Sequence, residues 1–353
     1  YGANPGRSGH KMAIDAANIL LYTREMLCRL FSIDDPFRIV FTFNATDSLN
    51  LAIKGILNEG DHVITTSMEH NSVIRPIKKL EKEKNIEVSI IQCDSKGQIC
   101  PYEIKKYIKP NTRLIVTTHA SNVTGTLMPI ETIGQIARSY SIPYLVDASQ
   151  TAGIVPIDLS KNLIDMLAFP GHKSLLGPQG TGGLYIAPQI NLNEIRQGGT
   201  GSQSENLFQP DIIPDKYESG TLNTPGIAGL GAGANYILLK NQQNLINHEK
   251  ILMKLFIDGL SQIKGVKIYG PDKLEERIGI VSINIRDIDS SEIANLLDEK
   301  YNIATRGSLH CAPLAHRTIS TFSQGVVRFS LGVFSTEEEV HYCIKAIEEL
   351  SIL

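Results

Sequence analysis

The sequence predicts a mixed α/β protein in two parts, a large domain on a mostly parallel sheet and a smaller C-terminal α/β domain. Three observations carry this. The 353 residues exceed what one ordinary hydrophobic core encloses. Short apolar runs alternate with stretches of helical period through the first half of the chain, the pattern of βαβ units. Polar and glycine-rich segments follow the strand-like runs, where an open α/β sheet places its ligands.

Composition narrows the class. Apolar residues make up 42% and charged residues 20%, with a formal net charge of −3. That balance gives no electrostatic case for nucleic acid or an anionic membrane. No apolar run is long enough to span a bilayer. Cys28, Cys93, Cys100, Cys311 and Cys343 are odd in number and lack metal-like spacing, which suits a reducing compartment and a cytoplasmic location. The nine histidines form no HExxH-type pair, so no metal is expected. The chain opens at Tyr1 rather than Met, which leaves a missing N-terminal segment and a targeting peptide open.

In order, a polar glycine-rich loop carrying Arg7 and His10 precedes a long helix, about 12–31, with Ile14, Ala17 and Leu21 on its apolar stripe. A strand over 38–43 leads into a helix with Leu49, Ala52, Ile53 and Ile56 on one face. Thr46, Asp47 and Ser48 stand where an N-cap belongs, and a helix start is a ready anion site. Then come a strand over 62–66, a loop through MEHNSVIRP, a helix over 74–84, a strand over 88–93 and a helix over 101–108. A strand over 114–118 runs into HASNVTG, a helix covers 130–140, and a strand over 144–146 runs into DASQTAG. A strand over 166–169 ends in Pro170-Gly171, followed at once by His172 and Lys173 and a glycine-rich turn into another apolar run.

The domain boundary falls inside a helical stretch after Pro225, giving a large domain over 1–235 and a small one over 236–353. The small domain reads as a helix (248–262), strands (266–269 and 278–285) and a helix (291–300). A loop with Cys311, a strand (326–331) and a last helix (336–350) complete it. GLGAG at 229–233 lacks the preceding strand and the glycine spacing of a dinucleotide loop.

Four strand ends carry polar groups: His70, then Asn122, then Asp147 with Gln150, then His172 with Lys173. Alone, each is an ordinary turn residue. Together, an amine, a carboxylate, a flat ring and a helix start near Thr46 suit pyridoxal 5'-phosphate, an aldehyde cofactor with a basic ring nitrogen and a phosphate.

The stretches MEHNSV, HASNVTG, LVDASQTAG, FPGHKSLLGPQGTGGLY, ESGTLNTPGI, RGSLHCAPLAH and VVRFSLGVFSTEEEV resemble the class V aminotransferase family, in its cysteine desulfurase and selenocysteine lyase branch of short-loop type. The resemblance covers nearly the whole chain in order and implies fold type I of the pyridoxal phosphate enzymes, with a seven-stranded-type sheet. It implies that Lys173 bonds the cofactor, Asp147 pairs with the ring nitrogen, Gln150 meets the ring oxygen and His70 stacks on the ring and assists proton transfer. Thr46 and His172 would hold the phosphate, joined by Thr221 from the second subunit of a homodimer. Asn122, which also borders the cofactor, and Arg328 would hold the substrate carboxylate, since a guanidinium fork suits one.

Cys311, in RGSLHCAP, would take sulfur from L-cysteine as a persulfide, giving L-alanine, and pass it to an acceptor protein or thiol, as in iron–sulfur cluster assembly. A selenocysteine lyase, or an aminotransferase or epimerase of the same class with Cys311 incidental, stays open, as does a fold kept without catalysis. Two departures stand out. Pro170 replaces a serine that many members have before Gly-His-Lys, and the 307–324 loop is slightly longer than usual for the branch.

Overall fold

The computed structural model describes residues 3–6 and 8–352; Arg7 lies outside the described residues. The large sheet collects β1 (Ile39–Thr42), β2 (His62–Thr66), β3 (Glu87–Ile91), β4 (Thr112–Thr118), β5 (Tyr144–Asp147), β6 (Met166–Pro170) and β7 (Gly182–Ile186). Their spatial order is β1-β7-β6-β5-β4-β2-β3. β7 runs antiparallel to both of its neighbours, and the other pairings are parallel.

Period-two alternation assigns the two faces. Tyr144 and Val146 of β5, with Leu167 and Phe169 of β6, join one core. Leu145, Met166 and Ala168 join the other. Both faces are covered, which is why these strands are apolar at nearly every position.

Helices α1 (Lys11–Phe31), α2 (Ala45–Ile56), α3 (Asn71–Lys84), α4 (Ile104–Tyr107), α5 (Ile130–Ser139), α6 (Leu159–Asn162) and α7 (Thr224–Lys240) accompany this sheet. Several helix starts differ from the sequence expectation: the helix expected over 248–262 begins at Gln242, α4 begins at Ile104 after a 3-10 turn rather than at 101, and two others are set by caps. The cap of α2 is Asn44, whose side chain accepts from Asp47 N at 3.0 Å, so Thr46 and Asp47 lie in the first turn. Helix α3 begins at Asn71 rather than near 74, because the His70 ring caps it by accepting from Ser72 N. Pro76, within the helix, did not need to delay its start.

The GLGAG glycines lie inside α7 and serve packing. A Cβ on Gly231 would come within 2.4 Å of Thr23 Oγ1 on α1, and one on Gly233 within 2.2 Å of the Leu175 carbonyl oxygen. Their absence lets α7 press against both α1 and the segment after Lys173.

The smaller unit is a three-stranded antiparallel sheet in the order β10-β9-β8, from β8 (Val266–Tyr269), β9 (Ile280–Ile285) and β10 (Val327–Ser330). Helices α8 (Gln242–Ser261), α9 (Ser290–Tyr301) and α11 (Glu337–Leu350) pack against it, and the core they form with β9 and β10 includes Phe256, Val281, Ile283 and Ile347. The loop expected around Cys311 contains a short helix, α10 (Pro313–Thr318), started by Pro313 at its first turn. Among the described residues, no helix is long and apolar enough to cross a membrane.

Candidate active site

A cavity of about 810 Å³ opens at the carboxyl ends of the large-sheet strands, bounded on its far side by the small unit. Lys173 enters it from the turn joining β6 to β7. That turn is closed by Gly171 N on Thr181 O at 2.8 Å and Gly177 N on Gly171 O at 2.8 Å. Gly171 is required: a Cβ there would meet Thr181 Oγ1 at 2.1 Å. The Lys173 amine opens onto the cavity. Desolvation by the surrounding walls still lowers its pKa, with Arg328 and Arg306 pushing the same way and Asp147 opposing.

Asp147, the last residue of β5, is 2% exposed and accepts from Ser149 N at 2.9 Å and from the Ser149 hydroxyl. His70 faces the cavity from the start of α3. Its Nδ1 accepts from Ser72 N at 3.0 Å, so the hydrogen of the neutral ring sits on Nε2. Burial lowers the pKa of this imidazole, with Lys173 assisting and Asp147 opposing. Ser72 Oγ lies 2.9 Å from His70 Nδ1 and 2.7 Å from Thr46 Oγ1, linking the ring to the first turn of α2.

Asn122, His172 and Gln150 also line the cavity. Burial, aided by Lys173, lowers the His172 pKa. Arg328 arrives from β10 and donates through Nη1 to Asn122 O at 3.0 Å. Its Nε is buried without a protein partner, a donor at the cavity wall that a ligand carboxylate would satisfy.

Two sequence-expected residues do not line this cavity. Thr221 lies in a small cleft with Phe41, Arg196 and Glu218. Cys311 stands exposed beside the cavity, its carbonyl accepting from Asn71 N at 2.8 Å. The link is Arg306, which lines the cavity and donates through Nη2 to Cys311 Sγ at 3.4 Å. Pro170, the last residue of β6, pairs with Gly182 in the ladder and also lines the cavity.

Sequence reasoning missed Arg306, although it opens the motif that carries Cys311. It also missed Ser72 and Glu69, both inside MEHNSV. Glu69 is fully buried and accepts through Oε1 from Thr66 Oγ1 at 2.6 Å and Thr118 N at 3.1 Å. Its Oε2 has no partner. Burial drives its carboxyl up to about 8, against those two hydrogen bonds and with Asp147 adding to the rise. Among the described residues, no group of three or more His, Cys, Asp or Glu could hold a metal ion.

The family model described as "Aminotransferase class-V" matches residues 1–343. The chain belongs to the class V aminotransferase family. A probable cysteine desulfurase of Methanothermobacter thermautotrophicus is 32% identical over 357 residues, covering 99% of this chain and 88% of that protein. The cysteine desulfurase IscS of Vibrio vulnificus is 31% identical, covering 98% of this chain and 84% of that protein. Among solved structures, the apo cysteine desulfurase of Thermococcus onnurineus NA1 superposes with a TM-score of 0.90 at 30% identity, over 100% of this chain and 88% of that one. The seven-stranded, mostly parallel sheet is therefore that of this family, fold type I.

Proposed function

We propose that the chain is a cysteine desulfurase that uses pyridoxal 5'-phosphate. The single observation that carries this is the Cys311 thiol in contact with a guanidinium, Arg306, that also walls the lysine cavity. The residues present suit the cofactor: a desolvated amine at Lys173, a buried carboxylate at Asp147 for the ring nitrogen, and the N-terminus of α2 with Thr46 for the phosphate. Gln150, His70 and His172 complete its surroundings, and Pro170 contributes no hydroxyl, so the phosphate depends more on α2.

Bound there, the cofactor supplies an electron sink for the bonds broken at the substrate's α and β carbons. Arg328, with its free Nε, and Asn122 hold the carboxylate of L-cysteine. Lys173 Nζ, whose pKa desolvation lowers, takes the α proton; His70 Nε2 faces the cavity as a second proton-bearing atom. The Cys311 thiolate attacks the substrate sulfur: an S–S bond forms as the carbon–sulfur bond breaks, the electron pair of that bond stays with the β carbon, which takes up a proton, and alanine leaves while Cys311 keeps the sulfur. An acceptor protein or thiol then takes it.

The working unit in this reading is a homodimer in which Thr221 of one copy serves the phosphate of the other. The domain division is 1–235 and 236–353, and the compartment is the reducing cytoplasm. Cys311→Ala is expected to keep the visible absorbance of lysine-bound cofactor and lose persulfide formation from L-cysteine. Unchanged sulfide release from cysteine by that variant would sink the nucleophile assignment. Undiminished alanine formation from selenocysteine alone would favour the lyase reading.

A further inference from the structure

Cys311 sits on a backbone segment that is left-handed at three of four positions: φ is 77° at Ser308, 52° at His310 and 58° at Cys311. None is glycine, and such residues persist only where their surroundings hold them. Four bonds do so here. Ser308 N donates to Ser290 Oγ at 3.0 Å, and Val326 N to Ser308 O at 3.3 Å. Asn122 Nδ2 donates to His310 O at 2.8 Å, and Asn71 N to Cys311 O at 2.8 Å.

Beneath the segment lie two buried imidazoles. His310 and His316 stack with centroids 5.6 Å apart and planes 11° from parallel. A chain runs through them: His310 Nε2 is 2.9 Å from Arg306 O, His310 Nδ1 is 3.4 Å from His316 Nε2, and His316 Nδ1 is 2.8 Å from Thr321 Oγ1. A carbonyl only accepts, so His310 Nε2 carries the hydrogen. Burial pushes the rings down to about 3 and about 4, so both are neutral near pH 7. His310 Nδ1 must then accept, His316 Nε2 must donate, and the Thr321 hydroxyl donates to His316 Nδ1. One carbonyl thus fixes both tautomers and the direction of the whole chain. That carbonyl belongs to Arg306, whose guanidinium meets the thiol.

We propose that His310 and His316 are positioning residues for the nucleophile: their one-way hydrogen-bond chain from Thr321 to the Arg306 carbonyl sets where the Cys311 thiol meets the Arg306 guanidinium. The proposal rests on the reading of Cys311 as the sulfur-accepting thiol. Neither imidazole lines the cavity, so neither touches substrate or cofactor. The charged groups facing the thiol are Arg306 and Arg328. The chain governs the nearer one.

The test is alkylation of Cys311 by iodoacetamide against pH, in cofactor-free protein carrying Cys100→Ser to remove the other exposed thiol. His316→Phe keeps the ring volume without the bonds. Thr321→Val removes only the first donor. Both are expected to slow alkylation near neutral pH several-fold and move the profile to higher pH. His316→Gln, whose amide can replace the Nε2 donor, is expected to restore much of the rate. Profiles that overlay the parent overturn the proposal, and so does a His316→Gln protein as slow as His316→Phe. Should His316→Phe fail to fold, Thr321→Val decides alone. Persulfide detection on the parent protein separates the two claims. No persulfide with shifted profiles removes the desulfurase reading and leaves the positioning; persulfide with unshifted profiles does the reverse.

Discussion

Glu69 lies immediately before His70, and its buried carboxyl bridges β2 and β4 through Thr66 and Thr118. Its pKa is raised from 4.5 to about 8, so the folded chain holds a proton there that the unfolded chain releases above pH 4.5. The stability this gives is complete below pH 4.5 and is lost as pH rises through about 8. Glu69→Gln keeps the neutral shape without that dependence. Urea denaturation is expected to show the variant gaining on the parent between pH 5 and 8, by roughly 4 kcal/mol at the upper end. Parallel pH curves would mean that Glu69 is ionised in the fold. No sequence pattern marked this residue, because a glutamate in a strand–helix turn looks solvated until β4 closes over it. Lys173, Asp147 and His70 were picked out because each lies at or within a few residues of the end of a run read as a strand, and all three line the cavity.

At the scale of elements, alternation carried the sheet. Runs such as 114–118 and 144–146 are apolar because both faces are covered, and they lie where expected. Boundaries failed where a side chain, rather than periodicity, decides them. Asn44 and His70 cap α2 and α3 through hydrogen bonds that hydropathy does not register. Helix α10 is too short for a period to show. The α7 glycines were legible only as a failed dinucleotide loop, and their use appears once α1 and the lysine turn stand beside them. Gly233→Ala would drive a Cβ to within 2.2 Å of the Leu175 carbonyl. Backbone cannot rotate away as a side chain can, so overpacking of about 1–3 kcal/mol is expected. Since Leu175 is two residues from Lys173, weaker cofactor binding should accompany the lower Tm. Gly9→Ala, with nothing within 4 Å of its added Cβ, is the control and should change neither. A Gly233→Ala protein with the parent's Tm and cofactor affinity would show that α7 does not brace the turn.

Across the whole molecule, the two sheets are joined at the segment that carries Asn122. Ser282 of β9 donates to the Val123 carbonyl, and Arg328 of β10 to that of Asn122. Arg277, 2% exposed, ties this junction together. Its Nη1 donates to Pro271 O at 3.0 Å, and its Nη2 to Ile280 O at 2.9 Å, Tyr269 O at 3.2 Å and Thr124 O at 3.4 Å. Burial lowers its pKa to about 10, which leaves it charged at neutral pH. The carbonyls therefore act as its counter-charge, a fork geometry that a lysine ammonium does not reproduce. Arg277→Met removes the donor those carbonyls share, and a loss of roughly 2–4 kcal/mol is expected. The consequence for chemistry is directional. In the proposed reading the groups around the cofactor, Lys173, Asp147 and His70, belong to the large sheet and stay in place, whereas Arg328 comes from the small one. Loosening the junction should raise KM for the amino acid several-fold while the bound-cofactor absorbance stays at its parental position. Equal losses in kcat and cofactor binding would show instead that Arg277 supports the large sheet itself and that the two sheets do not divide the site between them.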